Sequence, residues 1–388
     1  MDYQGKIGVS KKELVRYSII EAYRTGQFSR AEAALKLNIS ERTVTRMAQG
    51  VREKGFAGVQ HGNTANVPWN KLEDELVERF VTRYRDAYSK FNYSHALEMM
   101  AIHEKLTGIS YSKFRQECRK RGLGKTKKRR ASKARMLRER FAEEGYMWQM
   151  DGSPHAWNDK DTWSLLGLID DATSKIPGAK LENSETTWGC MNLVRHAIAK
   201  HGSPQFILTD RAGWASSNGK RHGFPQFVRA CKELGITIIA TSTPETKGRI
   251  ERMNRTFQDR LIPELDFFKI RSQIDSNRYL DSVFIPAWNA KFVVPAKAET
   301  TRYTPVPEGV DLLDIFCIKK LRKVNRNHTV AYEGEMFQIV PELGKNYHKK
   351  EVVIHQYEDG KVAIFYGKIK LESCAIVKQK RIFYRSVS

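Results

Sequence analysis

The chain changes its hydrophobic rhythm twice. Apolar residues recur every three or four positions up to about residue 121, fall into short strand-like runs from 146, and alternate again from about 315. Residues 11–25 place Leu14, Ile19, Ala22 and Tyr23 on one helical face, and Gly26 ends that helix. Ser29 then precedes Glu32 by three positions, the spacing at which hydroxyl and carboxylate satisfy each other's backbone N–H groups. A short helix follows over 30–37. Asn38 and Ile39 make a tight turn, and Ser40 caps a third helix over 41–49. Apolar positions Ala33, Leu37, Ile39, Val44 and Met47 match helix-turn-helix spacing, which leaves Arg42, Thr43, Thr45 and Arg46 facing outward. A plain three-helix bundle is the alternative, and the charge described below favours DNA.

A second helical set follows the loop 61–68. Leu76, Phe80 and Tyr84 recur at four-residue spacing within a helix over 72–88, and Ser94 opens another that ends near Gly108. A third, over 112–121, turns Phe114 and Cys118 inward and Lys113, Arg115, Gln116 and Arg119 outward. The repetition suggests two readers of one extended DNA site.

From Tyr146 the pattern is that of a mixed sheet. Residues 146–153, 163–170 and 175–181 predict three strands joined by short turns, an antiparallel meander. A helix over 184–201, a buried strand over 205–209, a helix over 224–234, a strand over 236–240 and a long polar helix over 246–261 complete the order βββαβαβα. Residues 265–307, with Pro286, Pro295, Pro305 and Pro307, read as an irregular connection. Five short strands between 317 and 365 then suggest a small barrel.

Charge changes this picture. The 388 residues carry 67 Lys and Arg against 44 Asp and Glu, a net of +23, which attracts polyanions. The excess is uneven. Residues 113–140 hold 14 basic and 2 acidic side chains, and residues 315–388 hold 15 and 7, whereas residues 141–314 hold 21 and 22. Within the first of these stretches, Lys125, Lys127, Lys128, Arg129 and Arg130 join two patterned segments and predict phosphate-backbone contact. No apolar run approaches the ~18 residues of a membrane span. The N-terminus carries no apolar signal region, and the five cysteines form no Cys-x-x-Cys pair. Membrane protein, secreted scaffold and zinc protein are excluded, and a cytoplasmic protein is the expectation.

Three carboxylates stand out by placement: Asp151 in the first strand, Asp210 at the tip of the fourth, and Glu251 on the closing helix. If the fourth strand lies beside the first, the two aspartates meet. Clustered carboxylates repel one another unless cations join them, and oxygen ligands that leave room for water and phosphate suit Mg²⁺. Two such ions about 3.5–4 Å apart serve phosphodiester displacement, with Mn²⁺ a substitute.

At this point the sequence resembles a known group. Trp148-Gln149-Met150-Asp151-Gly152-Ser153, Leu168-Ile169-Asp170-Asp171-Ala172-Thr173-Ser174 and Thr243-Pro244-Glu245-Thr246-Lys247-Gly248-Arg249-Ile250-Glu251-Arg252-Met253-Asn254-Arg255-Thr256 are similar to the integrase-core transposases of bacterial insertion sequences, nearest to the ISNCY type. Two of these motifs, with Leu208-Thr209-Asp210, resemble retroviral integrases more distantly. The resemblance implies a ribonuclease H-like fold and a DDE triad of Asp151, Asp210 and Glu251, which would be both catalytic and metal-holding. Two departures stand out: Arg211 follows the second aspartate where relatives often have Asn or Gly, and Gln258 stands where many have a basic residue.

Neighbouring residues have plainer explanations. Asp170 and Asp171 lie at a strand end where capping a turn suffices, and Glu245 sits at a helix entry where the dipole favours it. His155 either touches a phosphate or packs. Lys247, Arg249, Arg252 and Arg255 share the closing helix and are expected to clamp DNA.

The expected organisation is multidomain. A helix-turn-helix unit spans 1–60, a second helical unit 68–124, a basic linker 125–144, an α/β ribonuclease H-like core with mixed sheet 145–265, a connection 266–314 and a basic β-barrel 315–388. The expected function is a transposase that binds element ends on double-stranded DNA, cleaves 3′ ends and transfers them to target DNA, as a dimer or higher oligomer. A structure-selective nuclease of the same fold, or a catalytically silent DNA-binding regulator, are the alternatives.

Overall fold

The computed structural model describes residues 10–60, 71–124, 138–158, 161–210, 223–241, 244–341 and 344–376. They form two units that divide between Val77 and Glu78.

The first unit contains α1 (Lys11–Arg24), α2 (Arg30–Leu37) and α3 (Glu41–Lys54), closed by a 3-10 turn, Gly55–Val59. Ser10, Ser29 and Ser40 each cap the helix that follows, and the first two form reciprocal pairs with Glu13 and Glu32. Asn38 adopts the left-handed conformation that ends α2 and turns the chain into α3. Ile20, Ala33, Val44, Val51 and Val59 are buried together. Leu14, expected inward, is instead exposed, because Ile20 one and a half turns later occupies the core. A Cβ on Gly58 would lie 2.1 Å from the Gly50 carbonyl carbon, so two glycines let the turn close onto α3.

α4 (Asp74–Ala87) runs across the division into the second unit, followed there by α5 (Tyr93–Glu104) and α6 (Tyr111–Lys120). Phe80 and Tyr84 meet Phe114 edge-on, with ring centroids 6.1 and 5.5 Å apart.

The sheet that follows is built from β1 (Met147–Ala156), β2 (Thr162–Asp170), β3 (Gly178–Glu182), β4 (Phe206–Thr209) and β5 (Thr237–Ala240), with α7 (Thr187–His201) and α8 (Gly223–Glu233) in the connections. Its order is β3-β2-β1-β4-β5. β1, β2 and β3 are antiparallel neighbours, while β4 and β5 run parallel to β1 and β4 respectively. This is the ribonuclease H-like arrangement. α7 packs on one face against Trp148, Met150, Leu166 and Leu168. α9 (Gly248–Phe267), entered through a 3-10 turn Pro244–Lys247, covers the other face, where Ile250, Met253, Phe257 and Leu261 meet Leu165 and Ile169.

The connection is helical in its first half and irregular, as expected, only over 293–311. α9 continues to Phe267, and α10 (Gln273–Tyr279), a π turn Leu280–Phe284 and α11 (Ile285–Phe292) follow. Pro286 lies in the first turn of α11, where a helix does not need its N–H. Leu280, Phe284, Ile285 and Trp288 supply the apolar stripe that joins the α9 core. The second helical set docks on α9. Arg260 and Lys291 grip Glu98, and His95 Nε2 lies 2.7 Å from Glu264 Oε1.

α12 (Leu312–Ile315) leads to β6 (Ile318–Lys323), β7 (Thr329–Tyr332), β8 (Glu335–Ile339), β9 (Glu351–Gln356), β10 (Val362–Tyr366), β11 (Ile369–Leu371) and β12 (Ser373–Ile376). The five expected strands are present with two further short ones. They pair as two sheets, β11-β10-β9-β6 and β12-β8-β7, around one core of Val330, Ile339, Val352, Ile354 and Ile364.

Candidate active site

The parallel pairing of β1 and β4 sets Met147 against Phe206, Trp148 against Ile207 and Gln149 against Leu208. Two residues further along that register stand Asp151 and Asp210. Side chains alternate along a strand, so Gln149, Asp151 and Ser153 share the face covered by α9. α9 answers with positions one turn apart: Ile250 N donates to Gln149 Oε1 at 3.2 Å, Asn254 Nδ2 to Asp151 Oδ2 at 3.1 Å, and Gln258 Nε2 to Ser153 Oγ at 3.1 Å. The helical repeat of α9 is thereby locked onto the two-residue repeat of β1. Gln258, which replaces a basic residue, is a structural tie to the strand.

A buried ion cluster holds the start of α9. Asp171 is fully buried and accepts hydrogen bonds from Arg249 Nη1 at 2.8 Å, Gln149 Nε2 at 2.7 Å and the Phe141 N–H at 3.2 Å, with Arg138 beside it. Arg249, expected to clamp DNA, is therefore committed to Asp171, because burying that carboxylate without cations would be far costlier. Asp170 does cap its turn, accepting from Thr173 N and Oγ1 at 2.9 and 2.8 Å. Asp171 does not, and is a node between linker, strand and helix.

Lys247 also departs from its expected place. It is 7% exposed, and its ammonium lies 2.9 Å from Asp210 Oδ2 and 3.9 Å from Asp151 Oδ1. Burial pushes the Asp151 carboxyl up to about 6. Lys247 opposes this, and the charges of Asp210, Glu185 and Glu251 add to it. Glu251, in the first turn of α9, is exposed.

Glu185, just ahead of α7, was not singled out from the sequence. Its carboxyl is also held above the ordinary range, first by burial and then by Asp210, against a hydrogen bond from Ser164 and the charge of Lys247. The one sequence signal was Gly152, directly after Asp151, because a Cβ there would stand 1.9 Å from Glu185 Oε1. Asn254 was missed as well. It is 6% exposed, and its Oδ1 is buried without a hydrogen-bond partner.

Among the described residues, no group of three His, Cys, Asp or Glu side chains is drawn together closely enough to grip a metal ion as it stands. The donor set nonetheless fits a hard divalent cation: carboxylate oxygens from the middle of β1 and the end of β4, an orphaned amide oxygen, and one ammonium balancing them.

The remaining expected contacts divide clearly. Arg42, Thr45 and Arg46 are exposed on α3, whereas the Thr43 hydroxyl lies 2.8 Å from Ser40 at the helix cap. On α6, Gln116 and Arg119 are exposed, Arg115 is half-buried and Lys113 pairs with the buried Glu117 at 3.0 Å. Arg252 and Arg255 are exposed on α9. His155 is exposed and stands edge-on to Trp157, with centroids 5.8 Å apart. Lys125, Lys127, Lys128, Arg129, Arg130, Arg211 and the side chain of Glu245 lie outside the described residues. Among the described residues, no helix is long and apolar enough to cross a membrane.

A mixed ribonuclease H-like sheet with acidic side chains where β1, β4 and α9 converge defines the class of protein. Comparison with known proteins gives the family. The chain is 30% identical over 374 residues to the transposase for insertion sequence IS1202 of Streptococcus pneumoniae, covering 86% of this chain and 79% of that one. It is 28% identical over 394 residues to y4bF of Sinorhizobium fredii, described as a transposase, covering 99% and 85%. No family model matches the chain. A likeness to the catalytic core of HTLV-2 integrase, solved with magnesium, has a TM-score of 0.31 at 19% identity and covers 41% of this chain and 94% of that one. The chain belongs to the transposases of bacterial insertion sequences, polynucleotidyl transferases that move DNA.

Proposed function

We propose that the chain binds the ends of its insertion sequence and catalyses two phosphodiester displacements at one site: hydrolysis that exposes a 3′-hydroxyl, then attack of that hydroxyl on target DNA. The observation that carries this reading is the shared ammonium of Lys247 between Asp151 and Asp210, which marks the middle of β1 and the adjoining end of β4 as a place built for positive charge.

Asp151, Asp210 and Glu251 would hold two Mg²⁺ ions, with Mn²⁺ able to replace them. Bound divalent ions supply Lewis-acid activation of the attacking oxygen and neutralise the departing one. The protein's own part is positional. Asn254 fixes the Asp151 carboxylate, Gln149 and Asp171 fix the first turn of α9, and Glu251 is thereby delivered beside β1. Arg252 and Arg255, exposed on the same helix, suit phosphates flanking the scissile bond. Arg42, Thr45 and Arg46 on α3, and Gln116 and Arg119 on α6, suit recognition of double-stranded ends. Joining two ends requires self-association on DNA, as a dimer or larger assembly.

The test is a joining assay with oligonucleotides carrying the element's ends. Wild type in Mg²⁺ is expected to cleave and join, and Asp151→Asn to bind ends normally while losing both reactions. Joining by Asp151→Asn would overturn the site assignment. Cleavage by wild type without any joining would favour a nuclease, and neither reaction would favour a silent regulator.

A further inference from the structure

The site has a fourth carboxylate on the opposite face of the sheet. Trp148, Met150 and Gly152 share the side of β1 that faces α7, the reverse of the side bearing Asp151. Glu185 ends the loop between β3 and α7 and lays its carboxylate over Gly152. A Cβ at Gly152 would come within 1.9 Å of Oε1 and 2.1 Å of Cδ, so any larger residue would push this flexible side chain aside. The approach places an acid over the backbone of the residue next to Asp151.

Among the described residues, little engages that carboxylate. The N-cap of α7 is Thr186, whose Oγ1 accepts from Gly189 N at 3.0 Å, so Glu185 is not needed there. Among the described residues, Glu185 accepts one side-chain hydrogen bond, from Ser164 Oγ at the long distance of 3.5 Å. Its near charges are Asp210, which repels it, and Lys247, which already serves the aspartates. A half-buried acid held among like charges destabilises the fold unless a further cation joins it. A second observation points the same way: Asn254 Oδ1, buried and lacking a partner, belongs to the amide that touches Asp151.

We infer that Glu185 is a fourth metal-facing carboxylate, reaching the Asp151–Asp210 gap from the α7 side while Glu251 reaches it from the α9 side, and that Gly152 leaves the room in which its carboxylate lies. The inference rests on the proposed divalent-cation site.

The experiment is calorimetric titration of the full-length protein with Mn²⁺, without DNA, in wild type, Asp151→Asn, Glu185→Gln and Gly152→Ala. Glu185→Gln and Gly152→Ala are expected to weaken Mn²⁺ binding about tenfold, the loss typical of a supporting metal-site contact. Melting separates this from a structural role. Glu185→Gln relieves repulsion, so it should raise the metal-free Tm and reduce the increment that Mn²⁺ adds. Wild-type Mn²⁺ affinity in both variants, or a lower metal-free Tm in Glu185→Gln, would overturn the inference. If Asp151→Asn weakens binding and the other two do not, Glu185 alone is misassigned. If wild type itself binds no Mn²⁺, the metal reading falls and this inference with it.

Discussion

The ammonium of Lys247 lies 2.9 Å from the carboxylate of Asp210, on a residue only 7% exposed. Four positions before Glu251, in a stretch rich in basic residues, that lysine looks in the sequence like one more phosphate contact. The fold turns it inward because the 3-10 turn entering α9 ends at the mouth of the β1–β4 pair.

Removing that charge has a direct consequence. Lys247→Met leaves Asp151 and Asp210 facing each other without a counterion, which should cost on the order of 1–2 kcal/mol in metal-free buffer. Urea denaturation should show a lower midpoint, largely restored by millimolar Mg²⁺. A midpoint unchanged in metal-free buffer would show that the pair contributes nothing.

Asp151 makes the site pH-dependent. Its folded value of about 6 stands above the ordinary aspartate value of 3.8, so the unfolded chain loses that proton first as pH rises. Between about pH 4 and 6 this group therefore lowers stability progressively, by about 3 kcal/mol in all, and the penalty persists above pH 6. Asp151→Asn should remove that slope and be the more stable protein at pH 7 without metal. Divalent-cation affinity of the wild type should rise as pH climbs through 6, because the cation competes with that proton.

Two arginines on α9 should behave oppositely. Arg249→Ala strips the buried Asp171 of a partner and should cost about 3 kcal/mol of stability. The salt dependence of DNA binding, measured where the variant is folded, should stay as in wild type. Arg255→Ala should leave the melting temperature unchanged and reduce the salt slope of end binding by about one. The reverse pattern would restore Arg249 to the DNA surface.

The docking of α5 on α9 should fail in acid. Burial alone would raise the Glu98 carboxyl, but Arg260 and Lys291 outweigh it and hold it at about 2. Its contribution is present above the unfolded value of 4.5 and is lost as pH falls toward 2. Glu98→Gln should lower stability at pH 7 and show a shallower loss between pH 4.5 and 2. Hydrogen exchange of the α5 amides would locate the effect.

Much of this was legible because it is local. Ser29 with Glu32 and Ser40 before Glu41 mark helix starts whatever surrounds them, and short apolar runs mark β1 and β2. Asp151, Asp210 and Glu251 could be named because strands, strand ends and helix starts are themselves readable. The proline-bearing stretch after 265 was not, since Pro286 reads as a breaker until it is seen at the start of α11, and the apolar stripe of that region makes sense only against α9.

What the amino-acid order determined by itself is therefore the set of elements, the uneven distribution of the +23 charge and the acidic positions at element ends. Tertiary structure decided which of the charges are spent. Arg249 and Lys247 were drawn to Asp171 and Asp210, Arg252 and Arg255 stayed in solvent, and Glu185 was brought from a distant loop to the residue beside Asp151. The reason is physical: a side chain's partner is chosen by burial and distance, which pair residues across 78 positions in the case of Asp171 and Arg249. No local rule of sequence contains that distance.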